Sequence, residues 1–490
     1  MNYNDFIAVL PLIILAATGL TVMMWDAFEK TPSRAPLVLT IIGGLGAITA
    51  AFINLSTVPY SAFGGLFFSN TYTQFFTIIF SAATVLSALL SEQYLKEREM
   101  IVGEYCTLML FAACGMIMMA SGANLIVTFL GLETMSIAFY VLAGIFRKEE
   151  SSNEASLKYF LLGAFATGFF LYGIALVYGT TGTMNLTEIR TIMLGLAPKP
   201  AATYNSMLLT LGMVFIIVGL AFKVSAFPFH QWAPDVYEGA PTVVAGFMST
   251  AGKTAAFSAL ILLFPYALLP TNAPHIGNEK IQIVLAVLAA CSMLYGNIVA
   301  VAQTRIKRML AYSSIAHAGY MLLGVSALNE NGITGVAIYS AVYILMQISA
   351  FGIVSVLEKA DGNGFELEDY AGLSKRRPWM AFMLAIIMLS LAGIPPFAGF
   401  FGKYYLFLAA INAGMVWLAI VGVISSIIAS YFYLRVIVLM YFRDTKDSLI
   451  VVEPEKMNTS FIAIALASAA LLILGLQPSL LINTIGYLFR

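Results

Sequence analysis

Charge is what this sequence has least of. Only 10% of its 490 residues are Asp, Glu, Lys or Arg, against 60% that are apolar. A water-soluble domain carries roughly a quarter charged residues. Too little polar surface exists here to clothe a soluble globule, so lipid must be the solvent for most of the chain. Basic and acidic residues balance at 25 each. With no net charge, no basic tail and no low-complexity segment, nothing in the charge points to nucleic acid. Cysteine is scarce too. Cys106, Cys114 and Cys291 lie in or at the ends of apolar runs, with no CxxC pair or Cys/His cluster, and read as small packing residues. The three histidines, His230, His275 and His317, are too few and too scattered for a haem or metal centre. No cofactor or metal is expected on this chain.

What the chain has is hydrophobic length. Runs long enough to cross a hydrocarbon core, about 20 residues each, fall near 6–25, 35–54, 72–91, 104–121, 123–146, 157–178, 206–226, 241–264, 281–301, 309–327, 333–357, 380–411, 414–440 and 459–487. The expected fold class is an all-α polytopic membrane protein of about fourteen transmembrane helices. The first run lacks a basic n-region and reads as a helix, not a cleaved signal. Loops after odd-numbered spans hold sixteen Lys and Arg residues; loops after even-numbered spans and the two termini hold four. By the positive-inside rule the odd loops face the cytoplasm and both termini face the other side.

Five basic residues fall at or within spans: Lys158, Lys223, Lys253, Lys403 and Arg435. Lys158 and Arg435 lie near span ends, where they either snorkel to the interface or face inward. Lys223, Lys253 and Lys403 are central, and Glu133 is the one clear acid at comparable depth. A charge at the bilayer centre costs at least ~2.5–3.5 kcal/mol, so these residues must face protein or water. A Glu–Lys pair that only staples helices needs one partner per charge. Three lysines against one glutamate do not fit that reading. Burial disfavours the charged form of lysine, and a lysine that can shed its proton can carry one. Water-linked sites of this kind make a proton path. Glu133 and Lys223 are expected to form a switchable ion pair. His317, mid-span, is either a hydrogen-bonded core residue or a relay. Glu104 is a second buried acid or an interfacial one. Asp235 and Glu238 either collect protons or cap a short helix.

Two spans carry breaks. The seventh holds Lys223 and Pro228, the twelfth Pro395-Pro396 followed by Lys403. Proline removes a backbone donor and clashes with the preceding turn. Broken backbone at membrane depth is tolerated only where it is buried in protein or lines a cavity, so each nearby lysine is a candidate ion site. Paired breaks point to an inverted repeat. Ala138, Tyr140, Leu142 and Gly144 match Ala318, Tyr320, Leu322 and Gly324 at one offset. This pairs spans four to eight (104–264) with nine to thirteen (281–440). The stretch Gly246 to Thr254 imitates a phosphate-binding loop but has one residue too many between its glycines and no preceding strand, and is set aside.

The run from Arg305 through Tyr312-Ser-Ser-Ile-Ala-His317 to Tyr320, the Lys223–Pro228 break and Leu391-Ala-Gly-Ile-Pro-Pro-Phe-Ala-Gly-Phe-Phe-Gly-Lys403 together resemble the antiporter-like subunits of respiratory complex I, the proton-translocating NADH:quinone oxidoreductase. The resemblance spans nearly the whole chain. It implies fourteen helices, two inverted five-helix repeats, broken helices seven and twelve, and proton translocation coupled to quinone reduction. Its functional residues fall on Glu133, Lys223, Lys253 and Lys403. It also implies that NADH, flavin, iron–sulfur clusters and quinone belong to other subunits, that sister antiporter-like subunits are partners, and that the chain lies in a bacterial cytoplasmic membrane. A lysine at 403 where one sister type has glutamate, and a chain that stops just after span fourteen, narrow the type within the family. The other readings are a subunit of a multi-subunit cation/proton antiporter, a membrane hydrogenase module, or a structural anchor.

Overall fold

The computed structural model describes residues 2–29, 33–55, 59–98, 102–197, 206–270, 278–358, 364–444 and 458–488. His275 and the loop cations Lys30, Lys199, Lys359, Lys446, Lys456 and Arg490 lie outside them. The described residues are helical almost throughout. Eleven helices are long and apolar enough to cross a membrane. In chain order they begin with α2 (Leu10–Phe28), α3 (Ala35–Leu55), α4 (Thr71–Glu97), α5 (Val102–Ser121), α6 (Leu125–Ala143) and α7 (Glu150–Thr181). A short α1 (Tyr3–Ala8) precedes them, and a one-turn α16 (Leu373–Arg376) lies later in the chain. Three helical units fall short of that measure yet pack among the rest: the broken pair α9 (Ser206–Lys223) and α10 (Trp232–Gly239), the polar-rich α14 (Ile306–Ser326), and the broken pair α17 (Pro378–Ala392) and α18 (Ala398–Asn412).

The remaining long helices are the continuous run Thr242–Leu268, which contains α11 (Thr242–Phe247) and α12 (Lys253–Ile261), then α13 (Asn278–Val301), α15 (Glu330–Leu357), α19 (Val416–Phe442) and α20 (Thr459–Leu476). Three features depart from the expected pattern. A two-stranded hairpin, β1 (Tyr60–Ala62) against β2 (Phe67–Ser69), sits between α3 and α4. An amphipathic α8 (Leu186–Met193) follows α7. The last apolar run divides at Gln477-Pro478 into α20 and α21 (Pro478–Leu488), because proline disfavours helical backbone in the residue before it.

Small residues set the helix spacing. A Cβ on Gly115 of α5 would lie 2.5 Å from the Met135 amide of α6, and one on Gly131 2.8 Å from the Gly115 carbonyl. The same close crossing recurs between α13 and α14, where a Cβ on Gly296 would lie 2.6 Å from the Ala316 amide. With lipid as apolar as the side chains, such backbone approach supplies the van der Waals contact that holds membrane helices together.

Ion pairs and hydrogen bonds link the loops in two sets. In one set Arg34 pairs with Glu92, Arg98 with Glu358, Arg147 with Glu104, Arg305 with Glu238 and Glu366, and Lys375 with Asp444. The last contact holds the Asp444 carboxyl below its usual range. All these residues sit at the ends of helices joined by the expected odd-numbered loops. In the other set Asn185 donates to the Gly65 carbonyl, Asn124 and Asn185 form a bridge, and Arg190 donates to the Tyr266 carbonyl. These belong to even-numbered loops.

Candidate functional site: a band of buried lysines

Lys223, Lys253 and Lys403 are 4%, 1% and 3% exposed. Among the described residues none is paired with a carboxylate. Each is held by neutral oxygen or an aromatic ring, an arrangement that leaves the desolvation of a charged ammonium poorly compensated.

Lys223 is the last residue of α9. The chain then leaves the helix through Ser225, at φ +55°, and the Phe227-Pro228 bond, which is cis. The Trp232 indole donates to the Phe222 carbonyl at 2.9 Å, and Ser292 Oγ accepts from the Phe227 amide. The broken ends are thus satisfied inside the protein. Lys223 Nζ reaches the Tyr140 hydroxyl at 3.3 Å and lies 5.0 and 5.1 Å from the Tyr140 and Tyr159 ring centroids.

The expected direct Glu133–Lys223 pair is not formed. Glu133, half-buried, accepts from Thr167 of α7 at 2.8 Å. The lysine meets Tyr140 instead, seven residues and about 10 Å further along α6.

Lys253 follows a stretch of wider π-helical turn, Met248–Gly252, a distortion common at functional positions. Its Nζ donates to the Ser314 carbonyl (3.0 Å) and hydroxyl (2.8 Å). Ser314 begins a polar stripe on α14 at intervals of three residues: Ser314, His317, Tyr320. Both His317 ring nitrogens are engaged, Nδ1 with Tyr339 Oη at 2.5 Å and Nε2 with Tyr433 Oη at 3.0 Å. At the end of the stripe, Lys403 Nζ lies 4.7 Å from the Tyr320 ring centroid.

Lys403 belongs to α18, just past the break. α17 ends at Ala392 and is capped by Gly393, in the left-handed region at φ +81°, and the Pro395-Pro396 bond is cis. The break frees two carbonyls, of Leu391 and Ala392, and Lys403 donates to both, at 3.1 and 3.0 Å. A Cβ on Gly393 would meet Lys403 Cδ at 2.9 Å, so only glycine leaves room for the lysine to fold back on the break.

The accessory candidates fall elsewhere. Glu104 is exposed and paired with Arg147, so it is an interfacial acid, not a buried one. Lys158 bonds Glu154 and Asp235 at 2.6 and 2.8 Å. Asp235 lies in the first turn of α10 and is also held by Arg308 at 3.0 Å, while Arg308 binds Glu238 at 2.7 Å. These residues line a cavity of about 780 Å³ on the basic-loop face. Sequence reasoning did not assign Thr167, Ser314, Tyr339, Tyr433 or Lys307 to the site. Tyr140 and Tyr320 carried a signal, since they occupy one matched pair in the internal repeat. Among the described residues no cluster of three His, Cys, Asp or Glu side chains fits a metal ion.

Fold and site together define a membrane-embedded helical protein with buried titratable groups at two helix breaks. Residues 122–429 match the family model described as NADH:quinone oxidoreductase/Mrp antiporter, TM. NADH-quinone oxidoreductase subunit N 1 of Chloroherpeton thalassium is 42% identical over 98% of this chain and 97% of its own length. A chain in the respiratory complex I from Thermus thermophilus with bound aureothin superposes with a TM-score of 0.81 at 33% identity, covering 96% of this chain and 98% of that one. A chain of the Mrp complex from Dietzia sp. DQ12-45-1b shares the fold, with a TM-score of 0.85 at 21% identity over 100% and 97% of the two chains. The chain belongs to the antiporter-like membrane subunits of NADH:quinone oxidoreductase, and within them to the subunit N type. Its function is that of a multi-pass membrane subunit of proton-pumping complex I, where it works with other subunits.

Proposed function

We propose that Lys223, Lys253, His317 and Lys403 are the stations of this chain's proton path, with Glu133 biasing the first and Lys403 delivering at the far side. The observation that carries this reading is that three lysines are buried without carboxylate partners along one polar band. A stapling role would pair each with an acid. Instead the acceptors are hydroxyls, ring faces and the carbonyls freed by a helix break. Tyr237 Oη, beside Lys253, and Tyr343 Oη, beside His317, are buried with no hydrogen-bond partner among the described residues. Buried hydroxyls of this kind are normally satisfied by water, the medium a proton needs between stations.

In the same reading the chain crosses the membrane fourteen times, α9–α10 and α17–α18 forming the broken seventh and twelfth spans. Spans four to eight (104–264) and nine to thirteen (281–440) are inverted repeats. The offset of 180 residues that aligns Tyr140 with Tyr320 also aligns Lys223 with Lys403, and each lysine lies against its own tyrosine ring. Both termini lie on the periplasmic side of a bacterial cytoplasmic membrane, the partners include sister antiporter-like subunits, and NADH, flavin, iron–sulfur clusters and quinone act on other subunits.

The test is Lys253→Met in the assembled complex, with proton uptake into inverted membrane vesicles measured beside quinone reduction. We expect fewer protons per electron pair. Full pumping with normal assembly would overturn the path.

A further inference from the structure

Lys307 looks from the sequence like a loop cation in a basic cluster, yet it is only 4% exposed. It stands in the first turn of α14 and lines the 780 Å³ cavity on the basic-loop face. Its Nζ donates to the Ala240 carbonyl at 2.9 Å and lies 5.1 Å from the Phe365 ring centroid. Among the described residues it has no carboxylate partner. Arg98 and Arg305, in the same wall, are each ion-paired, with Glu358 and Glu238. The cavity therefore holds one buried amine that its acids leave alone.

Polar groups recur behind Lys307. Ser314, which holds Lys253, is seven residues further along α14, so it shares a helical face with Lys307 about 10 Å deeper. Between them Gln347 of α15 donates its amide to the Leu310 carbonyl at 3.2 Å, while its own Oε1 is buried with no partner among the described residues. Tyr343, one turn along the same face of α15, lies beside His317, with ring centroids 5.2 Å apart, and its hydroxyl is buried with no hydrogen-bond partner among the described residues.

We propose that Lys307 is the inlet of the proton path, the residue that takes protons from the cavity and passes them by way of Gln347 and Tyr343 to Lys253. Hydronium arriving in the cavity gives up its proton to Lys307 in its amine form. The ammonium returns that proton to water ordered by Gln347 Oε1 and Tyr343 Oη, and that water protonates Lys253. Each transfer breaks one bond to hydrogen and forms one; no electron moves. Glu358 and Glu238 set the negative field that draws cations into the cavity, and Arg98 and Arg305 keep those carboxylates fixed. The inference rests on the proton-path reading above and adds its starting point.

The experiment replaces Lys307 by cysteine in the assembled complex and uses inverted vesicles, whose outer surface is the cytoplasmic one. Proton uptake should fall severalfold relative to quinone reduction, as this chain's path loses its entry group. Treatment with 2-aminoethyl methanethiosulfonate rebuilds a lysine-like amine and should restore at least half of the lost pumping. Ethyl methanethiosulfonate restores volume without the amine and should restore none. Wild-type vesicles treated alike control for Cys291, which is partly buried. Wild-type pumping by Lys307→Cys, or equal rescue by both reagents, would overturn the inlet. Should Lys307→Cys fail to assemble, Gln347→Leu takes its place: reduced pumping supports the route and full pumping overturns it. Lys253→Met runs in parallel. If it abolishes pumping while Lys307→Cys does not, the inlet alone is wrong; if both pump fully, the path itself is wrong.

Discussion

Lys403 shows most directly how one side chain uses a broken helix. Its three N–H donors face two carbonyls freed at Leu391 and Ala392, a setting that accepts an ammonium or a neutral amine. Moving a proton against 100 mV requires about 2.3 kcal/mol, so a residue that carries it must both take and release it. Lys403→Arg keeps the donors but does not release a proton in proteins, and should lower proton uptake about tenfold with quinone reduction persisting. Lys403→Glu should keep part of the activity, because a protonated carboxyl can still donate to one carbonyl. Full pumping by the arginine variant would show that the site needs only fixed charge. Gly393→Ala should also weaken pumping, since its Cβ would press on the lysine at 2.9 Å and alanine resists φ +81°. Wild-type coupling in that variant would show that the lysine does not fold back on the break. The burial of these lysines was legible in their depth within apolar runs. Their partners were not: Glu133 is the obvious counter-ion on composition, and Tyr140 wins because it stands at the right height on the same helix.

At the scale of elements, breaks and crossings follow local rules. Prolines at 228 and at 395–396 mark where the seventh and twelfth runs divide, and the structure interrupts helix at both places. The wider turn before Lys253 and the amphipathic α8 had no such punctuation and were not foreseen. The α5–α6 crossing depends on Gly115, with backbone of α6 only 2.5 Å from where a Cβ would stand. Gly115→Val should therefore destabilise the subunit by about 1–3 kcal/mol or more, read as lost assembly or a lowered thermal inactivation temperature of the complex. Gly168→Ala on α7, where nothing lies within 4 Å of the new methyl, should leave both unchanged. Equal effects would show that crowding at the crossing is not the cause.

For the whole molecule, the parity of the loops is the organising fact. Loop charges divide the connections into two sets, and the ion pairs join members of one set to each other: Arg98 to Glu358 and Arg305 to Glu366 bridge segments far apart in sequence. A single cysteine placed at Lys375, Arg376 or Arg377 should react with a membrane-impermeant maleimide in inverted vesicles and be protected in intact cells. Labelling in intact cells would reverse the orientation.

Composition and local pattern by themselves determined that this chain lives in lipid, how many apolar runs it has and where two runs break. These depend on transfer energies and on proline and glycine geometry, which act within a few residues. Tertiary packing alone decided that Lys223 meets Tyr140, that Lys253 reaches Ser314 at a separation of 61 residues, and that Lys307 leaves its basic cluster for the wall of a cavity. Those contacts depend on how helices cross and at what height their side chains meet, which no single segment of the chain carries.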